Sequence, residues 1–302
     1  MERVKRILSI DGGGIRGIVP ASTLVALEQQ LGKPVRECFD FVAGTSTGAL
    51  IASACAAGIP ASRILQIYTN RSHEIFTPGQ PFADAKRLTE GYMYDPHNIQ
   101  KVLIDEFGPN AGWRVNDSPV KLLLTAKAVD HKPWYFVPDA PGNAKKVGSL
   151  NLIDCTVASA CAPTYFAPWT MSILGETVTL VDGGVGVTGN PVYQACVEAF
   201  QYDSFDPAAT VVVSLGTGLG QTSARAPRGI LGWLQWTVDA LLEAPEAQQV
   251  ELVNTRWPGI LKRFDWPLPV PIDMAETGSI PQLTALGAKA AAGMDWRTIL
   301  AM

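Results

Sequence analysis

The chain has 302 residues, enough to bury roughly three quarters of the surface an extended chain exposes, which fits one large domain or a domain with a cap. Its 24 Lys and Arg face 28 Asp and Glu for a net charge of −4, and no segment gathers basic residues into a track for phosphates, so nucleic acid is not an expected partner. Charged residues are only 17% against 47% hydrophobic, which excludes a disordered chain and predicts a well-buried sheet or an apolar surface.

In chain order, short β-branched runs alternate with helical segments, the pattern of a mostly parallel sheet covered by helices on both faces. Arg6 to Ile10 reads as the first strand. The segment after Pro20 places Leu24, Leu27 and Leu31 on one helical face and stops at Gly32. Phe39 to Ala43 reads as a second strand, followed by a helix from Thr47 to about Ala57 and another from Pro60 through Ile64, Ile67 and Tyr68. Asp95-Pro96 and Asn190-Pro191 each have the form of an N-cap followed by proline at the first helical position. Val120 to Val129, Trp134 to Val137, Thr177 to Val181 and Thr210 to Leu215 are further predicted strands. After about Gly220 the sequence reads as helices around a Pro-rich stretch, Trp266 to Pro271, with no strand foreseen.

Five scattered cysteines (Cys38, Cys55, Cys155, Cys161, Cys196) form no C-x-x-C pair and read as reduced structural thiols. The apolar run at the N-terminus stops at Asp11, short of a secretory core, and the small-apolar run from Gly48 to Pro60 is short of a membrane span. Cytoplasmic placement is the expectation.

Two glycine motifs compete for one chemistry. Gly12, Gly14 and Gly17 in Asp11-Gly12-Gly13-Gly14-Ile15-Arg16-Gly17 satisfy G-x-G-x-x-G between a strand and a helix, which admits a dinucleotide-binding oxidoreductase. That reading wants an acid at the end of the second strand, whereas Glu37 and Asp40 lie before it or at its start. The second strand ends instead in Gly44-Thr45-Ser46-Thr47-Gly48, a G-x-S-x-G nucleophile elbow in the strand-to-helix context that exposes a strained serine. Chain order then limits the base. No histidine precedes Ser46, and His73, His97 and His131 each read as polar surface or capping residues, so an acid is expected to take the role. Asp182, at the end of the strand Val178 to Val181 and followed by Gly183-Gly184, is the acid in a suitable place.

Together the glycine loop, the Ser46 elbow, Ala160-Cys161-Ala162-Pro163-Thr164-Tyr165-Phe166, Asp182-Gly183-Gly184 and Ser214-Leu215-Gly216-Thr217-Gly218 resemble the patatin-like phospholipase and acyl hydrolase family. The resemblance implies a three-layer α/β/α fold, with a catalytic domain over 1–220 and a helical region over 221–302 packed on it. It implies a Ser46–Asp182 dyad cleaving acyl esters without metal or other cofactor. The N–H groups of Gly12, Gly13 and Gly14 would form the oxyanion hole, Arg16 would hold or charge that loop, and Gly44 and Gly48 would shape the elbow. Acyl transfer or thioester cleavage by the same dyad remains an alternative. Cys161 stands where the family commonly has alanine. The segment Ile230 to Leu242, with Trp233 and Trp236, reads as core packing, with acyl-chain cover or transient membrane contact as the other reading. Oligomeric state is left open.

Overall fold

The computed structural model describes residues 3–77, 91–142, 146–220, 226, 228–229 and 246–301. An eight-stranded sheet organises them: β1 (Lys5–Ile10), β2 (Phe41–Gly44), β3 (Lys121–Ala128), β4 (Pro133–Phe136), β5 (Trp169–Ile173), β6 (Glu176–Asp182), β7 (Thr210–Leu215) and β8 (Leu261–Phe264). Their spatial order is β5-β6-β3-β2-β1-β7-β8, with β4 also paired to β3. β3, β2, β1, β7 and β8 run parallel, so their C-terminal ends share one edge. The central strands β1 and β7 carry Ile7, Leu8, Ile10, Val211, Val212 and Val213, all buried, as a strand covered on both faces requires.

The remaining strands make the sheet mixed: β4 and β6 are antiparallel to β3, and β5 is antiparallel to β6. Leu174 and Gly175 both have positive φ (53° and 86°), the primed two-residue turn that closes a hairpin, and this joins β5 to β6. The sequence reading found β6 without this partner.

Four helices lie between residues 18 and 75: α1 (Ile18–Leu31), α2 (Val35–Cys38), α3 (Thr47–Ala57) and α4 (Ala61–Ile75). α1 ends at Gly32 in the left-handed conformation, as predicted. α3, apolar on all sides and buried at every residue, packs on β1, β2 and β3 and against the helix Leu152–Ala160. α1 lies against α4 and the helix Ile280–Ala292. The helix Val192–Val197, started by Asn190 Oδ1 accepting from the Val192 N–H at 3.0 Å, covers β1 and β2 from the other face. Trp257 packs there against Tyr193 and Phe200.

The C-terminal part differs from its expected all-helical character, because β8 extends the sheet in parallel register with β7, from Val212 opposite Leu261 to Leu215 opposite Phe264. Four half-buried residues with Lys262 and Arg263 at their centre give no apolar run from which to read a strand. The Pro-rich stretch is tied to the end of β7 by Leu219 N–H to Trp266 O (2.8 Å) and Leu268 N–H to Leu219 O (3.0 Å). Ile230 to Leu242 lies outside the described residues. Among the described residues no helix is long and apolar enough to cross a membrane.

Candidate active site

Register places the two principal side chains together. Gly44, the last residue of β2, lies opposite Leu124 of β3, and Asp182, the last residue of β6, lies opposite Ala126, two residues further along the same strand. Ser46, two residues beyond Gly44, reaches that level. Ser46 has φ 57° and ψ −123°, a conformation a non-glycine residue occupies only where its surroundings enforce it. The flanking glycines explain the enforcement. A Cβ on Gly44 would stand 2.1 Å from Gly48 O, and one on Gly48 would stand 2.1 Å from Ile10 O. Ser46 also caps the N-terminus of α3, where the helix dipole favours negative charge, and its own N–H donates to Ser159 Oγ at 3.0 Å.

The Ser46 hydroxyl faces the Asp182 carboxylate closely enough to favour its charged form, and Asp182 Oδ1 accepts from Gly184 N–H at 2.7 Å. Asp182 is buried, and this burial pushes its carboxyl up to about 6 against the opposing pull of those two donors. An acid with that midpoint is ionised at neutral pH and is a stronger base than an ordinary aspartate.

The glycine loop follows β1 and passes beside this pair. Gly13 (φ 147°) and Gly14 (φ 58°) have backbone conformations that L side chains rarely adopt, and a Cβ on Gly14 would stand 2.2 Å from Met274 O. Gly12 N–H donates to Gly189 O at 2.9 Å, which corrects the expectation that all three glycines offer free donors. Among the described residues, only the N–H groups of Gly13 and Gly14 in this triplet lack an internal acceptor. Arg16 is buried and its Nε donates to Gly13 O at 3.2 Å, and Thr217 Oγ1 donates to Gly12 O at 2.6 Å.

The dinucleotide alternative meets two obstacles in this geometry. Met274 and Thr217 occupy the space over Gly14 and Gly13 that a pyrophosphate would need. Asp40 precedes β2 and pairs with Arg3 and Lys5, at the sheet edge opposite the glycine loop, so it offers nothing to a ribose there.

A narrow apolar cavity opens beside Ser46, lined mainly by Leu50, Ile75, Phe76, Ile99, Phe166 and Met274, and among the described residues its wall carries no charged side chain and no histidine. His97 instead pairs with Asp95 and lies against Trp169, and His131 occupies an exposed turn at φ 74°. Ser159 and Met274 contribute to the site without any sequence signature, because each reaches it through tertiary contact alone, whereas Thr217 lies in the Ser214–Gly218 motif already read from the sequence.

Behind the glycine loop, Asp11, Glu246 and Asp265 bring carboxylate oxygens within 4.8 Å of one another, the one such acidic group among the described residues. Arg263 lies among them, with Nη2 at 2.6 Å from Asp11 Oδ2 and 2.7 Å from Asp265 Oδ2, and supplies their positive charge.

The family model for patatin-like phospholipases matches residues 8–195, a span that contains the glycine loop, the elbow and Asp182. A cGAMP-activated phospholipase of Vibrio cholerae serotype O1 is 30% identical over 247 residues, covering 75% of this chain and 68% of that protein. A cGAMP-activated phospholipase of Escherichia coli strain TW11681 is 27% identical, covering 77% and 67%, and Patatin-17 of Solanum cardiophyllum is 28% identical, covering 70% and 60%. By the extent of these matches, the chain belongs to the patatin-like phospholipase family.

Proposed function

We propose that this chain is a serine hydrolase of lipid acyl esters, with Ser46 as nucleophile and Asp182 as its general base. The observation that carries the reading is the strained Ser46, held at positive φ beside the buried Asp182 carboxylate, whose midpoint is about 6. Ser46 Oγ attacks the ester carbonyl while Asp182 takes its proton. The negative charge that develops on the carbonyl oxygen is met by the Gly13 and Gly14 N–H groups, with Gly12 and Arg16 holding the loop in place. One such donor is worth about 3 kcal/mol of barrier. Collapse of the tetrahedral species returns the proton from Asp182 to the departing alcohol. Water, deprotonated by the same carboxylate, then attacks the acyl-Ser46 carbonyl, and the collapse of that second tetrahedral species frees the fatty acid and restores the Ser46 hydroxyl.

The apolar cavity at Ser46 supports an acyl chain as the group recognised. The segment 160–169 before β5 and the loops 183–191, 216–220 and 266–272 after β6, β7 and β8 contain no Asp, Glu, Lys or Arg, and Val187, Leu219 and Val270 among them are exposed. Such a surface suits transient contact with the uncharged interior of a lipid interface. Cytoplasmic placement belongs to the same reading and is supported by five unpaired, buried cysteines.

Initial rates on p-nitrophenyl esters of increasing chain length and on a diacyl phosphatidylcholine, with Ser46→Ala as blank, test the proposal. Rates that climb with chain length, cleavage of the phospholipid and an inactive blank are expected. Turnover confined to the shortest ester would remove phospholipids from the reading, and turnover by Ser46→Ala would overturn it.

A further inference from the structure

We infer that Arg263, which lies outside the family-matched span 8–195, is a positioning residue that holds the glycine loop in its oxyanion-binding shape through Asp11. The inference rests on the proposed esterase reading.

Asp11 is the link between β1 and Gly12, and its side chain is fully buried. Its Oδ2 receives Arg263 Nη2 at 2.6 Å, while its Oδ1 has no hydrogen-bond partner among the described residues. A carboxylate placed so deep keeps its charge only beside a cation, and burial pushes its midpoint up to about 6 even against the pull of Arg263. The same guanidinium donates Nη1 to Ser214 Oγ at 2.8 Å and Nη2 to Asp265 Oδ2 at 2.7 Å. Asp265 Oδ1 in turn accepts from Gly218 N–H at 3.0 Å and Trp266 N–H at 2.9 Å.

One planar group therefore ties three chain segments together: the start of the glycine loop, the end of β7 and the exit of β8. This matters for the loop because several of its other restraints come from the end of β7 and from the chain beyond β8. Asp11 N–H donates to Leu215 O at 3.0 Å, Thr217 Oγ1 holds Gly12 O, and Ile15 N–H donates to Met274 O at 2.8 Å. Moving the β7 end relative to Asp11 would turn the Gly13 and Gly14 N–H groups away from the reacting carbonyl. Arg263 touches no lining residue of the cavity at Ser46 in the bonds described, so its influence on turnover passes through Asp11.

A lysine cannot reproduce the fork. It offers one ammonium where three oxygens are bridged, so it keeps the charge and loses the geometry. We compare wild type, Arg263→Met and Arg263→Lys by kcat and KM on p-nitrophenyl butyrate, by melting temperature, and by hydrogen exchange of peptides covering 11–17. Arg263→Met is expected to lower kcat about 100-fold, the scale of one displaced oxyanion donor, with KM within about twofold. Arg263→Lys should recover about tenfold of that loss while exchange at 11–17 stays faster than in wild type and exchange in β2 and β3 does not change. Lower melting temperatures with wild-type kcat per folded molecule, or a raised KM at unchanged kcat, would overturn the inference. So would unaltered exchange at 11–17 in Arg263→Lys, which stays folded if Arg263→Met does not. Wild-type protein inert toward every ester would defeat the esterase reading, and the exchange comparison would still decide whether Arg263 tethers the loop.

Discussion

Replacing Asp182 by asparagine is expected to make the protein inactive and, at alkaline pH, more stable. The native carboxyl titrates at about 6 against an ordinary 3.8, so it binds its proton more tightly in the folded chain than in the unfolded one. The stability contributed by that proton is complete below about 3.8 and is lost as pH rises through about 6. At pH 8 the wild type therefore carries the full cost of a buried charge, about 3 kcal/mol at 1.36 kcal/mol per unit. The asparagine never ionises, and its amide oxygen can still accept the Gly184 N–H that now lies 2.7 Å from Oδ1. The variant should gain up to about 3 kcal/mol, roughly 5 °C in melting temperature for a chain of this size, and the gain should shrink below about 1 kcal/mol at pH 4. Asp11, which also titrates near 6, is common to both proteins and cancels. Turnover should fall by at least about 100-fold, the low end of a general base's contribution. Unfolding at pH 8 and pH 4 together with ester hydrolysis at pH 8 makes the comparison. An Asp182→Asn variant that is less stable than wild type at pH 8, or that keeps wild-type turnover, would refute the reasoning.

The same titration predicts that kcat/KM rises with pH through a midpoint near 6, from about one tenth of its plateau at pH 5 to about nine tenths at pH 7. A profile flat from pH 5 to 7 would mean that Asp182 is not the base, and the limb should persist in Asp11→Asn. Gly14→Ala should lower kcat about 100-fold, because φ is 58° and the new Cβ would stand 2.2 Å from Met274 O. Gly32→Ala, also left-handed at φ 65° but with open space around it, should cost about 1 kcal/mol of stability and leave kcat unchanged. Equal kinetic losses in the two alanine variants would show that strain in general, and not the oxyanion loop, is being measured.

The parts of the site that were readable from sequence are those where backbone geometry restricts residue choice. Gly44 and Gly48 are required by approaches of about 2 Å, so the elbow has to be spelled with glycine, and Asp182 is followed by Gly183 for a similar reason, since a Cβ there would stand 2.1 Å from Thr125 Oγ1. β7 was bounded correctly because it is apolar on both faces. What escaped is what depends on pairing between distant segments. β5 is an edge strand whose Thr170 and Ser172 face solvent, so it shows no buried run, and β8 has a positively charged centre. The engagement of Gly12 N–H depends on a carbonyl 177 positions later, at Gly189, and no local pattern announces it. Arg263 and Asp265 look like surface charges in the sequence and become interior ones only when β8 joins β7.

The central claim is that Ser46 is the nucleophile, and the most direct measurement is to label the active protein with a fluorophosphonate and locate the adduct by peptide mass spectrometry. The account predicts one adduct per chain on Ser46, formed in step with loss of esterase activity and absent from Ser46→Ala. An adduct on another residue, or labelling that survives Ser46→Ala at the wild-type rate, would contradict it.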